Sequence, residues 1–325
     1  MNSFGKFCVF GFCLFSLVAC SKEQKSPNQF RVALLSPGPV SDAGWNAAAY
    51  EGLQRIENEL NASISQIETK TPSEFEEAFR NYAQQGYRLV FGHGFEFQDA
   101  AAAVAPDFPQ TVFITTSGNT VRPNVAPMVF QLEHATYLAG VMAALMSKSG
   151  KLGMVGGMEI PPVESTFDAF AAGAQSVKPD IKVTRSFIGN WEDVGAAKQA
   201  ALALIDQGCD FLIHNADAAA AGVFHAAAER NVFAFGTNKN QNHIDPNHVI
   251  ASCVSNIPAA FVEMAKLVRD GRFEGKVYRL GMPDGVISFE LNPQLQSQIP
   301  LEVLSKLEEI RQQILAGTVQ VPSKV

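Results

Sequence analysis

FRVALLSPGPVSDAGWNAAAYEGLQRIENELNASISQIET, residues 30–69, carries the pattern on which the fold turns. An apolar run at 31–35 is cut off by Ser36, Pro37, Gly38 and Pro39, residues that break regular structure. Apolar side chains then recur at helical spacing through 43–60, and a second short apolar run comes at 64–69. Strand, loop, helix and strand in that order predict a right-handed βαβ crossover with parallel strands.

The rhythm continues on the C-terminal side. Strands are expected at 89–92 and 111–115, with helices at 72–85 and 97–105 between them. Pro72 suits a first helical turn and Gly86 a helix stop. A second half repeats the alternation. It has strands at 152–155, 181–187, 211–214 and 232–235 and helices at 163–177, 193–207 and 216–230. Apolar strands at 128–133 and 250–255 fall where the halves meet, each followed at once by a helix, 134–147 and 258–269. A third crossing is expected near 282–285 and a closing helix at 301–315. The expected fold is α/β, two doubly wound parallel-sheet lobes joined by a multi-strand hinge, an organisation that resembles the type I periplasmic binding proteins. Lobe 1 takes residues 30–130 and 256–281; lobe 2 takes 131–255 and 282–325.

On the N-terminal side, residues 1–19 carry one charge, Lys6, ahead of an apolar run at 7–19. That run is too short for a spanning helix, which needs about 20 apolar residues, and fits a secretory signal. It ends in Leu17-Val18-Ala19-Cys20, which resembles a bacterial lipobox, so Cys20 is the expected lipidation site. The polar residues 20–29 read as a tether. The protein is expected in the cell envelope, lipid-anchored to a membrane on its periplasmic or extracellular side.

The chain of 325 residues is 47% hydrophobic and 18% charged, with a formal net charge of −7. It can bury proper cores, which excludes a disordered polyelectrolyte, and its acidity argues against a nucleic-acid partner. Five cysteines are too few for a disulfide scaffold. Cys209 and Cys253 are read either as buried free thiols or as a pair. Catalytic signatures fail in turn. Gly150-Lys151 is followed by Leu152, Gly92-His93-Gly94 has Phe97 where a third glycine belongs, and G-x-S-x-G, C-x-x-C and H-E-x-x-H are all missing. The 243–248 loop, with His243, Asp245 and His248, reads as a solvated turn. No enzyme activity, cofactor or metal is expected.

Ligands of open parallel sheets sit beyond the carboxyl ends of the strands. The segments there hold Asp42, Trp45 and Asn46; His93 and Phe95; Glu133; Trp191; His214, Asn215 and Asp217; Asn238; and Ser255. Aromatic faces mixed with amides and carboxylates suit a flat, polar ligand, stacked on its face and read at its edges. No arginine pair converges there, which disfavours phosphates and dicarboxylates. Asp42 and Asp217 read equally well as helix caps.

Several segments, in order and spacing, carry a family resemblance. They are Ser41-Asp42-Ala43-Gly44-Trp45-Asn46, the 92–97 loop, Glu133-His134-Ala135-Thr136-Tyr137-Leu138-Ala139-Gly140-Val141, the 150–157 run, Gly189-Asn190-Trp191-Glu192-Asp193 and the 216–222 run. From residue 30 to about 290 the chain resembles the basic membrane protein family of lipoprotein substrate-binding proteins, of purine nucleoside receptor type. The resemblance implies a monomer that closes its lobes on a purine nucleoside and hands it to an ABC permease, or signals to a sensor domain. It implies Trp45 at the purine, Asn46 and residues 131–133 at the base edge, and His214 and Asn215 on the opposite lobe. Two departures stand out. Asn238 replaces a family carboxylate, and 251–255, ending in Ser255, lacks a family lysine. Both charged ribose partners are then gone, so a purine-like base or other planar heterocycle is the expected ligand as much as a nucleoside. A sugar or signal-molecule receptor of the same fold, and a nucleoside-acting enzyme, are the alternatives.

Overall fold

The computed structural model describes residues 1–2, 5, 29–42 and 44–324. Cys20, the tether up to residue 28 and nearly all of the expected signal segment lie outside the described residues. No helix among the described residues is long and apolar enough to cross a membrane.

The opening stretch folds into β1 (Arg31–Ser36), α1 (Trp45–Leu60) and β2 (Ser63–Glu68). Then come α2 (Pro72–Gln84), β3 (Leu89–Gly92), α3 (Gln98–Val104), β4 (Val112–Thr116) and β5 (Val125–Phe130). The second round comprises α4 (Glu133–Met146), β6 (Lys151–Gly156), α5 (Pro161–Val177), β7 (Lys182–Phe187) and α6 (Val194–Asp206). It continues with β8 (Phe211–Asn215), α7 (Ala220–Arg230), β9 (Phe233–Asn238) and β10 (Val249–Ser255). The chain ends its regular structure with α8 (Ile257–Arg269), β11 (Tyr278–Leu280), β12 (Ile287–Leu291) and α9 (Leu301–Leu315).

Two six-stranded sheets result, ordered β2-β1-β3-β4-β5-β11 and β7-β6-β8-β9-β10-β12. The strands of the first are parallel throughout. In the second, only β12 runs antiparallel, against β10. The two orders are the same doubly wound pattern, so each sheet has a switch point between its first strand and the third, where ligands collect. These are two α/β lobes.

Local sequence explains the elements. The capping box of α2 has the Thr71 hydroxyl accepting from Glu74 N and the Glu74 carboxylate returning to Thr71 N, with Pro72 in the first turn. Helices α4 and α5 carry small residues at their contact. A Cβ on Gly140 would lie 1.9 Å from the Phe170 carbonyl oxygen, and one on Gly173 2.1 Å from that of Tyr137. The two backbones touch, and any side chain there would force them apart.

The chain crosses between sheets at residues 131–132, at Asn256 and at 281–286. These crossings are tied to one another: Gln131 N donates to Leu280 O at 2.9 Å and Asn256 N to Val286 O at 2.7 Å. Helix α8 returns from β10 to pack on α1 of the first lobe, while α9 packs on α4. The sequence pattern does not reveal β11 and β12 as strands. β11 is three residues long, and β12 is an edge strand whose partner alone makes it extended. Cys209 and Cys253 are separate, buried free thiols.

Candidate ligand-binding site

Loops from the carboxyl ends of both sheets face each other and enclose a cavity with about 700 Å3 of atom-free space, solvent at its mouth included. Eight of the residues expected from the sequence line it: Trp45, Phe95, Glu133, Trp191, Asn215, Asp217, Asn238 and Ser255. A smaller recess beside it is lined by Asp42 and Asn46, with Trp191 and Asp217 shared between the two. His93 and His214 line neither.

Asp42 is occupied by the start of α1. One oxygen accepts from Gly44 N and Ala47 N, each at 2.9 Å; the other accepts from Asn46 N at 2.8 Å and Asn46 Nδ2 at 3.0 Å. A carboxylate saturated by a helix N-terminus is a cap that fixes where the helix begins, and so where Trp45 points. Asn46 Oδ1 is buried without a partner.

The two histidines form a matched pair behind the cavity walls. His93, fully buried, donates from Nε2 to the Trp45 carbonyl at 2.9 Å. Its Nδ1 then accepts from the Thr116 hydroxyl on β4 at 3.0 Å. His214 donates from Nε2 to Gln241 Oε1 at 3.0 Å, and its Nδ1 accepts from the Thr237 hydroxyl on β9 at 3.4 Å. β9 stands in the second sheet where β4 stands in the first, so the repeat extends to these side chains. Burial pushes His93 down to about 3 and His214 down to about 4, which keeps both rings neutral and their tautomers fixed.

Trp45 has one face against His93, while Phe130 meets it edge-on with centroids 6.0 Å apart. Trp191, on the loop after β7, packs over Gly157. The walls therefore present one indole from each lobe. Between them stand Glu133 and Asp217, both buried, and Glu96, exposed at the mouth. No Lys, Arg or His is among the described residues lining the cavity. Burial, with the Asp42 and Glu96 carboxylates nearby, raises Asp217 well above the usual carboxylate range. Burial also raises Glu133, opposed chiefly by a hydrogen bond from the Ser165 hydroxyl. Glu133 Oε2 and Ser255 Oγ are buried with no partner. Asn215 Nδ2 donates to Thr166 Oγ1 at 3.2 Å.

Three cavity residues hold left-handed backbone, Ser117 at φ 86, Asp217 at φ 46 and Asn238 at φ 67. The other two non-glycine cases among the described residues, Asn61 and Asn231, are ordinary helix C-caps. Strained backbone concentrated at a cavity is a mark of function. The sequence pattern does not single out Ser117 or Thr166, and it places Glu96 only within the 92–97 loop without distinguishing it. Ser117-Gly118 is a turn signal directly after a strand, and the rule of strand ends, applied to β4 as well, points to it. Thr166 lies within a helix, where spacing alone gives it no distinction.

Residues 29–325 match the family described as ABC transporter substrate-binding protein, PnrA-like (Bmp). The chain is 29% identical over 308 residues to the ABC transporter nucleoside-binding protein BmpA of Lactococcus lactis, covering 88% of this chain and 86% of that one. It is 28% identical to a purine-binding protein of Brucella abortus, covering 89% and 82%. Among solved structures, an ABC transporter solute-binding protein from Aeropyrum pernix K1 superposes with a TM-score of 0.82 at 23% identity, covering 90% and 94%. One from Conexibacter woesei gives 0.72 at 22%, covering 90% and 99%. The fold is that of the type I periplasmic solute-binding proteins, and the chain belongs to the Bmp family of PnrA-like ABC transporter substrate-binding proteins.

Proposed function

We propose that this protein captures a purine, as free base or nucleoside, in the cleft between its lobes and delivers it to an ABC permease. One observation carries the reading. Trp45 and Trp191, from opposite lobes, line a single cavity whose buried polar atoms include the unpartnered Glu133 Oε2 and Ser255 Oγ. An indole offers a flat stacking face, the unpartnered Glu133 oxygen favours a ring N–H or amino donor, and the Ser255 hydroxyl can donate or accept. The acidic, cation-free lining disfavours phosphorylated ligands. The names of the Lactococcus and Brucella relatives support the same class.

Asn238 and Ser255 supply no charge, so at these two positions a ribose hydroxyl would find no charge-assisted bond, each such bond being worth roughly 1.5–3 kcal/mol. Free bases are therefore expected to bind comparably to nucleosides. The ligand interacts best when both walls touch it, which draws the lobes together through the three crossings. Cys20 is proposed as the lipid anchor that keeps the receptor beside its permease.

Calorimetry with adenine, guanine, hypoxanthine and their nucleosides tests the reading. Micromolar or tighter binding of a purine is expected. Nucleosides consistently tighter than bases would reject the free-base form, and glucose binding tighter than every purine would reject the purine class. For the anchor, palmitate labelling should be lost in Cys20→Ala, and labelling that persists would remove that role.

A further inference from the structure

The segment after α9 reaches back to the cavity. Gly317, at φ 69, ends the helix, and Thr318 N donates to Gln313 O at 2.9 Å. Val319 and Val321 pack against the main core, leading the chain over α5. There Ser323 Oγ donates to Glu133 Oε1 at 3.2 Å across 190 residues of sequence. The next residue contributes its backbone: Lys324 N donates to Ser165 Oγ at 2.8 Å. Ser165 in turn donates to the same Glu133 Oε1 at 2.6 Å. Lys324 Nζ fastens the segment to α5 through Glu164 and Asp168, both at 2.9 Å.

We infer that residues 318–324 are a strap that positions Glu133 for ligand, with Ser323 and Ser165 as its positioning residues. This rests on the reading of Glu133 as a ligand contact. A hydroxyl that accepts a backbone N–H has its own proton free to donate elsewhere. The strap therefore sets the direction of the Ser165 proton as well as supplying the Ser323 one. Two donors converge on Oε1 and hold the carboxylate plane. Oε2 receives none, in a residue only 2% exposed that lines the cavity. Glu133 is also the first residue of α4, directly after the first inter-lobe crossing, so the strap acts where the lobes join.

The test is calorimetry with inosine on the full chain and on Ser323→Ala, Ser323→Thr, Glu133→Gln and Glu133→Ala, with melting temperatures taken alongside. Ser323→Ala should weaken inosine binding about tenfold, the loss expected for one hydrogen bond to a charged group, with an unchanged melting temperature. Ser323→Thr, which keeps the hydroxyl, should restore it. In the Glu133→Ala background, Ser323→Ala should add nothing, because a residue acting through Glu133 has no effect once Glu133 is gone. If Glu133→Ala does not fold, the Glu133→Gln background should shrink the Ser323 effect. Full additivity, or a Ser323→Ala variant that binds as wild type while the Glu133 variants bind weakly, overturns the strap. If the Glu133 variants bind inosine as wild type does, the ligand contact itself fails, and the strap with it.

Discussion

The imidazole of His93 lies against the indole of Trp45, ring centroids 4.2 Å apart and planes 21° from parallel. The same imidazole holds the Trp45 carbonyl from Nε2. Stack and hydrogen bond act on one residue from one ring, so the Trp45 side chain and backbone are fixed together. The stacking wall of the cavity is built before any ligand arrives, which lowers the ordering cost of binding.

That arrangement depends on a neutral ring. With His93 held at about 3 and His214 at about 4, against about 6.5 in an unfolded chain, the unfolded state binds more protons throughout that interval. Stability is therefore present above about pH 6.5 and lost as pH falls towards 4, by up to roughly 1.4 kcal/mol per unit for each ring. Chemical denaturation from pH 7 to 4.5 should show this fall. Nitrogen NMR at pH 5.5 should find both rings neutral with the proton on Nε2. Two charged rings in the folded protein at that pH would refute the account.

Asp217 has the opposite sign. Its folded value lies above the unfolded one, because burial and the Asp42 and Glu96 carboxylates oppose its charge. Ionising it costs stability at high pH, and the cost is relieved as pH falls through the folded value. Asp217→Asn should raise the melting temperature at pH 8 by a few degrees, with the advantage fading on acidification. An advantage that grows as pH falls would contradict the assignment.

Trp191 is seated on a glycine. A Cβ at Gly157 would lie 2.2 Å from Trp191 Cε3 and 2.5 Å from Cζ3, so Gly157→Ala must displace the ring. Purine affinity should drop at least tenfold, about 1.4 kcal/mol. The chain has only two tryptophans, so a change in emission reports the movement directly. Unchanged affinity would remove Trp191 from the binding wall.

Among the described residues two ion pairs span the lobes, the exposed Lys70–Glu192 at 3.3 Å and the partly exposed Lys239–Glu51 at 3.0 Å. Exposed pairs contribute about 0–1 kcal/mol and are screened by salt. Lys70→Ala and Lys239→Ala should each weaken ligand binding no more than about fivefold, with the difference from wild type vanishing in 1 M salt. A large effect that survives high salt would mean that these lysines touch ligand.

The expected strands and helices largely recur because hydrophobic period and breakers act locally. Residues 89–92 and 301–315 fold over the expected spans as β3 and α9. β12 was illegible for the converse reason: its extended form comes from pairing with β10, some 35 residues away in sequence. At the site, position beyond a strand end brought Trp45, Trp191 and Asn238 to one cavity. The same rule nominated His93 and His214 equally, yet their rings turn inward to Thr116 and Thr237. Which way a side chain points depends on partners that the linear sequence does not juxtapose.

Sequence alone determined the alternation of strand and helix, its repetition in two halves, and the family, since each is written in residue order. Only the tertiary structure decided which oxygen of Glu133 is free, which face of Trp45 is covered, and that Ser323 reaches an acid far upstream. Those relationships join residues distant in the chain, and distance along a chain carries no information about contact until packing brings the segments together.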